Sequence, residues 1–220
     1  MHSFFKRFAN MSDAEREAHD ANIARLMRLE AERKKQDAFE NSGIGKVFFH
    51  ERLKTFKALS EAEGALKVVM SYLEALRCGE FKSLVLCGNH GTGKTHLAGG
   101  LLYELGGIFR LSDVIREEYE TAKSFTAKYT QTELIRMYGK ASFLVIDEVG
   151  RTENAATEKH CLYRIINERY NNRLPTVFTS NFSQKDFISY LGKASMDRLI
   201  ESADFCVCEW ESYRLKKRGA

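Results

Sequence analysis

The sequence predicts an α/β fold: a three-layer sandwich in which a mostly parallel sheet lies between two helical layers, preceded by one N-terminal helix. Three observations carry this expectation. Short apolar runs without polar alternation, over 83–87 and 143–146, have the pattern of strands buried on both faces. Helical stretches separate these runs, which is the grammar of βαβ units. A glycine-rich loop over 88–95 joins the first run to the helix that follows it.

The elements follow in order. Ser12-Asp13-Ala14-Glu15 is a capping-box pattern, and it opens a run to about residue 40 that lacks proline and glycine and is rich in Ala, Leu, Glu, Arg and Lys. One long helix is expected there. Its apolar residues Ile23, Leu26, Met27 and Leu29 make a narrow stripe over two turns, so it buries little against its own domain. It is either a solvated arm or a docking element for another protein. Asn41-Ser42-Gly43-Ile44-Gly45 carries the turn chemistry of a linker, which divides an arm over 1–42 from a main domain over 43–220. The main domain should then show a helix over 61–78, a strand over 83–87, a helix over 94–105 and a strand over 108–111. Residues 112–139 read as helical and polar, 143–146 as a buried strand, 157–171 as a helix and 176–179 as another strand.

Composition narrows the class. A chain of 220 residues, 44% hydrophobic and 29% charged with one proline, suits one medium domain with a short appendage and excludes disordered or fibrous protein. The five cysteines are odd in number and lack a C-x-x-C spacing, so reduced thiols are expected. On a strand, Cys206 and Cys208 would share one buried face. Lys6 and Arg7 break the N-terminal apolar run, and no stretch approaches the ~20 apolar residues of a membrane span, so no membrane contact and a cytoplasmic location are expected. Net charge is +4, with Arg214, Lys216, Lys217 and Arg218 crowded together near residue 220, which permits a polyanionic partner.

Residues Gly88, Asn89, His90, Gly91, Thr92, Gly93, Lys94 and Thr95 satisfy G-x-x-x-x-G-K-[ST] between a predicted strand and a predicted helix. Glycines let backbone N–H groups turn inward, and the helix N-terminus adds unsatisfied donors for phosphate. Lys94 should bridge the β and γ phosphates of a nucleoside triphosphate, and Thr95 should hold magnesium. His90 and His96 belong to this binding stretch as loop and helix residues, not as metal ligands. The strand over 143–146 ends in Asp147-Glu148, and two carboxylates on an apolar strand are costly unless a cation compensates them. Asp147 is therefore the expected magnesium residue, and Glu148 the expected general base for the attacking water. The strand over 176–179 runs into Ser180-Asn181 on the same edge, where Asn181 could position that water or sense the γ-phosphate.

With these elements in order, the chain resembles the AAA+ ATPases of the DnaC and IstB group, helicase loaders and transposition helpers with a P-loop NTPase fold. The resemblance covers about 41–214. It rests on Ser42-Gly43-Ile44-Gly45, the loop over 88–95, Asp147-Glu148-Val149-Gly150-Arg151, Thr179-Ser180-Asn181, Leu191-Gly192 leading to Met196-Asp197-Arg198-Leu199, and Trp210-Glu211-Ser212-Tyr213-Arg214. It implies an ATPase using ATP and Mg2+, active on assembly. Asn181 would be the sensor-1 residue, Arg198 the arginine finger reaching a neighbouring subunit's γ-phosphate, and Arg214 a second, sensor-like arginine. It further implies loading of a hexameric replicative helicase, gripped through the N-terminal helix, onto single-stranded DNA. The region ahead of the core is here about 42 residues, shorter than a loader's N-terminal domain. Two alternatives are a transposition helper with a transposase partner, and a nucleotide-dependent adaptor whose hydrolysis is incidental. For DNA, Lys123, Phe125, Lys128 and Tyr129 interleave basic and aromatic side chains on the polar helices, either as a stacking surface or as a solvated face, and Lys216 to Arg218 add charge.

Overall fold

A computed structural model of the chain describes residues 12–57 and 60–213. Five strands, β1 (Ser83–Gly88), β2 (Ile108–Leu111), β3 (Leu144–Val149), β4 (Thr176–Ser180) and β5 (Ala203–Cys208), pair in the order β2-β3-β4-β1-β5, all parallel. The helices are α1 (Asp13–Glu40), α2 (Glu63–Arg77), α3 (Lys94–Leu105), α4 (Ser112–Thr121), α5 (Gln131–Lys140), α6 (Ala155–Asn171), α7 (Gln184–Leu191) and α8 (Lys193–Ser202). Because strand side chains alternate, Leu84, Leu86, Val145 and Val177 enter one core with α2 and α3. Val85, Cys87, Leu144, Ile146 and Phe178 enter a second core with α4 to α8. This is the expected three-layer sandwich. Every strand ends on one edge of the sheet, and β1 ends there between β4 and β5, where ligands of open α/β sheets bind.

The chain divides into two units, with the boundary between Ala38 and Phe39. In the first, Glu15 N–H donates to Ser12 Oγ at 3.3 Å and Ser12 N–H to the Glu15 carboxylate at 2.8 Å, the capping box expected at the start of α1. Ile23, Leu26, Met27 and Leu29 are exposed, Met27 at 70%. The second unit begins earlier than residue 43. Phe39 is buried edge-on against Tyr103, and Ser42 accepts from Phe109 N–H through its carbonyl at 2.9 Å. Gly43 has φ +99°, and a Cβ there would stand 2.6 Å from the Phe109 carbonyl oxygen. Residues 41–45 form a turn, as read, but it is stitched to β2 and is no free linker.

Two further differences bear on function. Residues 112–139 are not continuously helical: α4 stops at Thr121, 122–130 form turns, and Thr130 caps α5 through a capping box with Glu133. β5, which the apolar pattern did not delimit, completes the sheet beside β1. Its Cys206 and Cys208 are buried in the same core, as their spacing implies on a strand.

One buried cation ties α6 to the sheet. The Arg169 guanidinium, 1% exposed, donates to Thr176 Oγ1 at 2.7 Å and to the carbonyls of Tyr138 and Ala141 at 2.8 and 2.7 Å. Burial lowers its pKa to about 10, so it stays charged at neutral pH. Arg169→Met would leave these acceptors buried without a donor. A loss on the order of 3 kcal/mol in unfolding free energy is expected, read from urea denaturation.

Candidate functional site

β1 is buried along its whole length and delivers the chain into the loop over 88–95. Three of its glycines have positive φ: Gly88 at +122°, Gly91 at +74° and Gly93 at +92°. Space forbids side chains as well. A Cβ on Gly88 would lie 2.4 Å from the Cys208 carbonyl oxygen, and one on Gly93 would lie 2.7 Å from the Phe56 ring. α3 starts at Lys94, so its first-turn amides are unsatisfied donors at the end of the loop. Lys94 Nζ donates to the carbonyls of Gly88 at 2.9 Å and Asn89 at 2.6 Å, and burial lowers its pKa. Asn89 and His90 are exposed, while Thr92 is buried with its hydroxyl on the Asn89 carbonyl at 2.9 Å.

Asp147 and Glu148 share one backbone irregularity. The β3–β4 register runs Ile146↔Phe178 and then Val149↔Ser180, so two residues of β3 stand opposite Thr179 alone. This is a β-bulge, and it re-aims the side chains at the strand end. Glu148 takes φ +59°, sparsely populated for a residue with a Cβ, while its N–H donates to Thr179 Oγ1 at 3.0 Å. Both Glu148 carboxylate oxygens lie 2.8 Å from one Arg151 guanidinium nitrogen. Asp147 is 3% exposed and accepts from Thr95 Oγ1 at 3.1 and 3.3 Å and from the Thr179 hydroxyl. Burial raises its pKa, and these hydrogen bonds oppose the rise. The structure thus brings Lys94, Thr95, Asp147 and Glu148 to one edge of the sheet. Asn181 follows the last residue of β4 on that edge, half-buried.

Thr179 joins the site without having been read as part of it. It stands in the Thr179-Ser180-Asn181 stretch of the resemblance, but its contacts with Asp147 and Glu148 depend on pairing register. His96 lies in the first turn of α3 beside the loop, and its imidazole is turned to the segment over 51–56. Its Nδ1 pairs with the Glu51 carboxylate at 2.5 Å, its Nε2 meets the Arg52 carbonyl at 2.8 Å, and the Phe56 ring stands edge-on to it. His96 therefore braces the segment over 51–56 against α3.

Arg198, on α8, lines a crevice with Ser83 and Thr176, the first residues of β1 and β4, at the sheet edge opposite its own chain's phosphate loop. Its guanidinium donates to the Ala194 carbonyl and stands 5.6 Å from the Tyr163 ring centre. Lys123, Phe125, Lys128 and Tyr129 lie on the turns between α4 and α5, a correction to the helical placement. Phe125 is fully exposed, and Lys128 Nζ is 5.1 Å from the Tyr129 ring centre. Arg214 and Lys216 to Arg218 lie outside the described residues.

Thr179→Val keeps the shape of the side chain but leaves the buried Asp147 carboxylate and the Glu148 N–H short of a partner. Chemical denaturation should register a loss of about 1–3 kcal/mol. A variant as stable as the wild type would mean that solvent replaces the hydroxyl.

The profile of the family described as IstB-like ATP binding protein matches residues 9–220. Among curated relatives, the replicative helicase loader DnaC of Escherichia coli K12 is 26% identical over 204 residues, covering 89% of this chain and 82% of the relative. An ATP-binding protein of an insertion sequence in Mycobacterium tuberculosis is 29% identical over 171 residues, covering 74% and 67%. Among solved structures, the DnaC helicase loader superposes with TM-score 0.65 at 24% identity, covering 75% of this chain and 100% of that one. Aquifex aeolicus DnaA bound to AMPPCP superposes with TM-score 0.60 at 22% identity, covering 76% and 53%. These superpositions show the P-loop AAA+ fold. A glycine loop closed between β1 and α3, an acidic bulge on β3 and a family match over nearly the whole sequence lead to one conclusion: this chain belongs to the IstB-like ATP-binding protein family.

Proposed function

We propose that this chain loads a replicative DNA helicase onto single-stranded DNA, acting as a magnesium-dependent ATPase. The observation that carries this reading is the likeness to a replicative helicase loader. It covers 89% of the chain, more than the unit from Phe39 onward contains, and so extends into the N-terminal arm. The insertion-sequence relative covers 74%. A transposition helper, with a transposase in place of the helicase, is the second reading, favoured by that relative.

In this mechanism the loop over 88–95 takes the phosphates of ATP, and Lys94 exchanges the carbonyls of Gly88 and Asn89 for the β and γ phosphates. Thr95 and Asp147 would hold magnesium. They are the hard oxygen donors this ion prefers, and the buried Asp147 carboxylate is one that a cation would compensate. When bound, the ion neutralises phosphate charge. Glu148 accepts the proton of the attacking water, which Asn181 orients. The Arg151 side chain that pairs with Glu148 is 68% exposed, so releasing it costs little.

Arg198 serves the site of a neighbouring copy, since it stands at the edge away from its own loop, and this makes turnover depend on self-assembly. Arg214 adds a second guanidinium. The exposed ring of Phe125, with Tyr129, Lys123 and Lys128, gives single-stranded DNA a surface for stacking and charge neutralisation. The stripe of Ile23, Leu26, Met27 and Leu29 on α1 takes the helicase.

Glu148→Gln should lower ATP turnover at least about 100-fold while leaving ATP affinity within a few-fold of wild type. Phosphate release and nucleotide titration, measured with the helicase and single-stranded DNA present, separate these effects. Full biological activity in this variant would favour the adaptor reading. The arm is tested by co-purification with the replicative helicase in ATP and magnesium. The full chain should be retained, and a truncation beginning at Phe39, which keeps that buried ring, should not. Retention of neither would move the assignment to the transposition helper.

A further inference from the structure

The outer side of the phosphate loop is bonded to a later segment of the chain. After β5 the chain turns across it as a strap over 209–213, and the loop exchanges three hydrogen bonds with the strap and one with the last residue of β5. Asn89 N–H donates to the Cys208 carbonyl at 2.8 Å, and Asn89 Nδ2 to the Glu209 carbonyl at 2.9 Å. In the other direction, Tyr213 N–H donates to the Gly91 carbonyl at 2.9 Å and Trp210 Nε1 to the Thr92 carbonyl at 3.1 Å. The fit is close: a Cβ on Gly91 would stand 2.0 Å from Ser212 Oγ.

The last two bonds hold consecutive peptide planes from one side. In a trans peptide the carbonyl and the following N–H point in opposite directions. With the Gly91 carbonyl fixed on Tyr213 and the Thr92 carbonyl fixed on Trp210, the N–H groups of Thr92 and Gly93 are directed away from the strap. These amides immediately precede Lys94, in the stretch that cradles phosphate. We propose that the strap is a template for the phosphate loop, and that Trp210 is a positioning residue which fixes the Thr92–Gly93 plane before nucleotide arrives. The proposal rests on the nucleotide-site reading of the loop and adds a residue 118 positions away to it.

A template of this kind acts on phosphate binding and not on the chemical step. It removes an ordering cost that nucleotide would otherwise meet on entry. Bonds to loop amides are made by ADP and ATP alike, so losing the template should weaken both together and leave the maximal rate alone.

Trp210→Phe keeps an aromatic ring in the packing and removes the indole donor. ADP and ATP affinities should each fall about three- to tenfold, the worth of one neutral hydrogen bond, with kcat at saturation within about twofold of wild type. Wild-type binding alongside unchanged affinities in the variant would overturn the template and leave the nucleotide site intact. A wild-type chain that binds neither nucleotide would overturn the nucleotide site, and the template with it. Hydrogen exchange on the full wild-type chain gives a second reading, independent of how the variant folds. The Tyr213 amide should be protected without nucleotide and gain little protection from ADP. Rapid exchange that slows only when ADP is added would overturn the proposal.

Discussion

A carboxylate that is 3% exposed must be answered by its neighbours, and the way Asp147 is answered sets the geometry of the whole sheet edge. One hydroxyl comes from Thr95 in the first turn of α3 and another from Thr179 near the end of β4. Three elements far apart in sequence are thereby drawn to one point. The residues assigned chemistry are the covalent neighbours of those held there: Lys94 precedes Thr95, and Glu148 follows Asp147. Their placement is inherited from the tether, and the bulge that frees Glu148 from the ladder is closed by the same Thr179 hydroxyl.

The glycine loop is shaped from outside as much as by its own residues. Gly88 faces the Cys208 backbone, Gly93 faces the Phe56 ring, and each has a φ that disfavours side chains. Phe56 is in turn held near α3 by His96, whose imidazole is engaged by Glu51 and Arg52. Packing from the 51–56 segment on one side and from the end of β5 on the other confines the loop. The short local motif is therefore a surface feature of a larger three-layer structure.

Legibility in the sequence followed the range of the forces involved. β1, α3 and β2 came out almost to the residue, because a buried run, a glycine loop and a helical repeat are written in consecutive positions. Asp147 and Glu148 were legible for the same reason. β5 was not delimited: Ala-Asp-Phe-Cys-Val-Cys alternates weakly, and its partner β1 is more than a hundred positions away. Residues 41–45 read as a free turn because their burial depends on β2. The break at 122–130 contains neither proline nor glycine, so the helix appeared to run through. The Thr130-x-x-Glu133 cap was a usable local signal for a new helix start. The contacts of Thr179 follow from register and those of the His96 side chain from packing against a distant segment of the same chain, which no local pattern encodes.

The pairing of β1 with β5 also has a consequence for biosynthesis. β1 is an interior strand of the sheet, yet one of its two neighbours is the last of the described strands to be made, with Gly88 aligned to Cys208. At ordinary elongation rates a ribosome needs on the order of ten seconds to cover that interval. For that time the nascent chain carries the loop residues with no strap across them, and β1 has both edges open until β4 is made and one open edge thereafter. Such an edge invites pairing with other chains until its partner strand arrives.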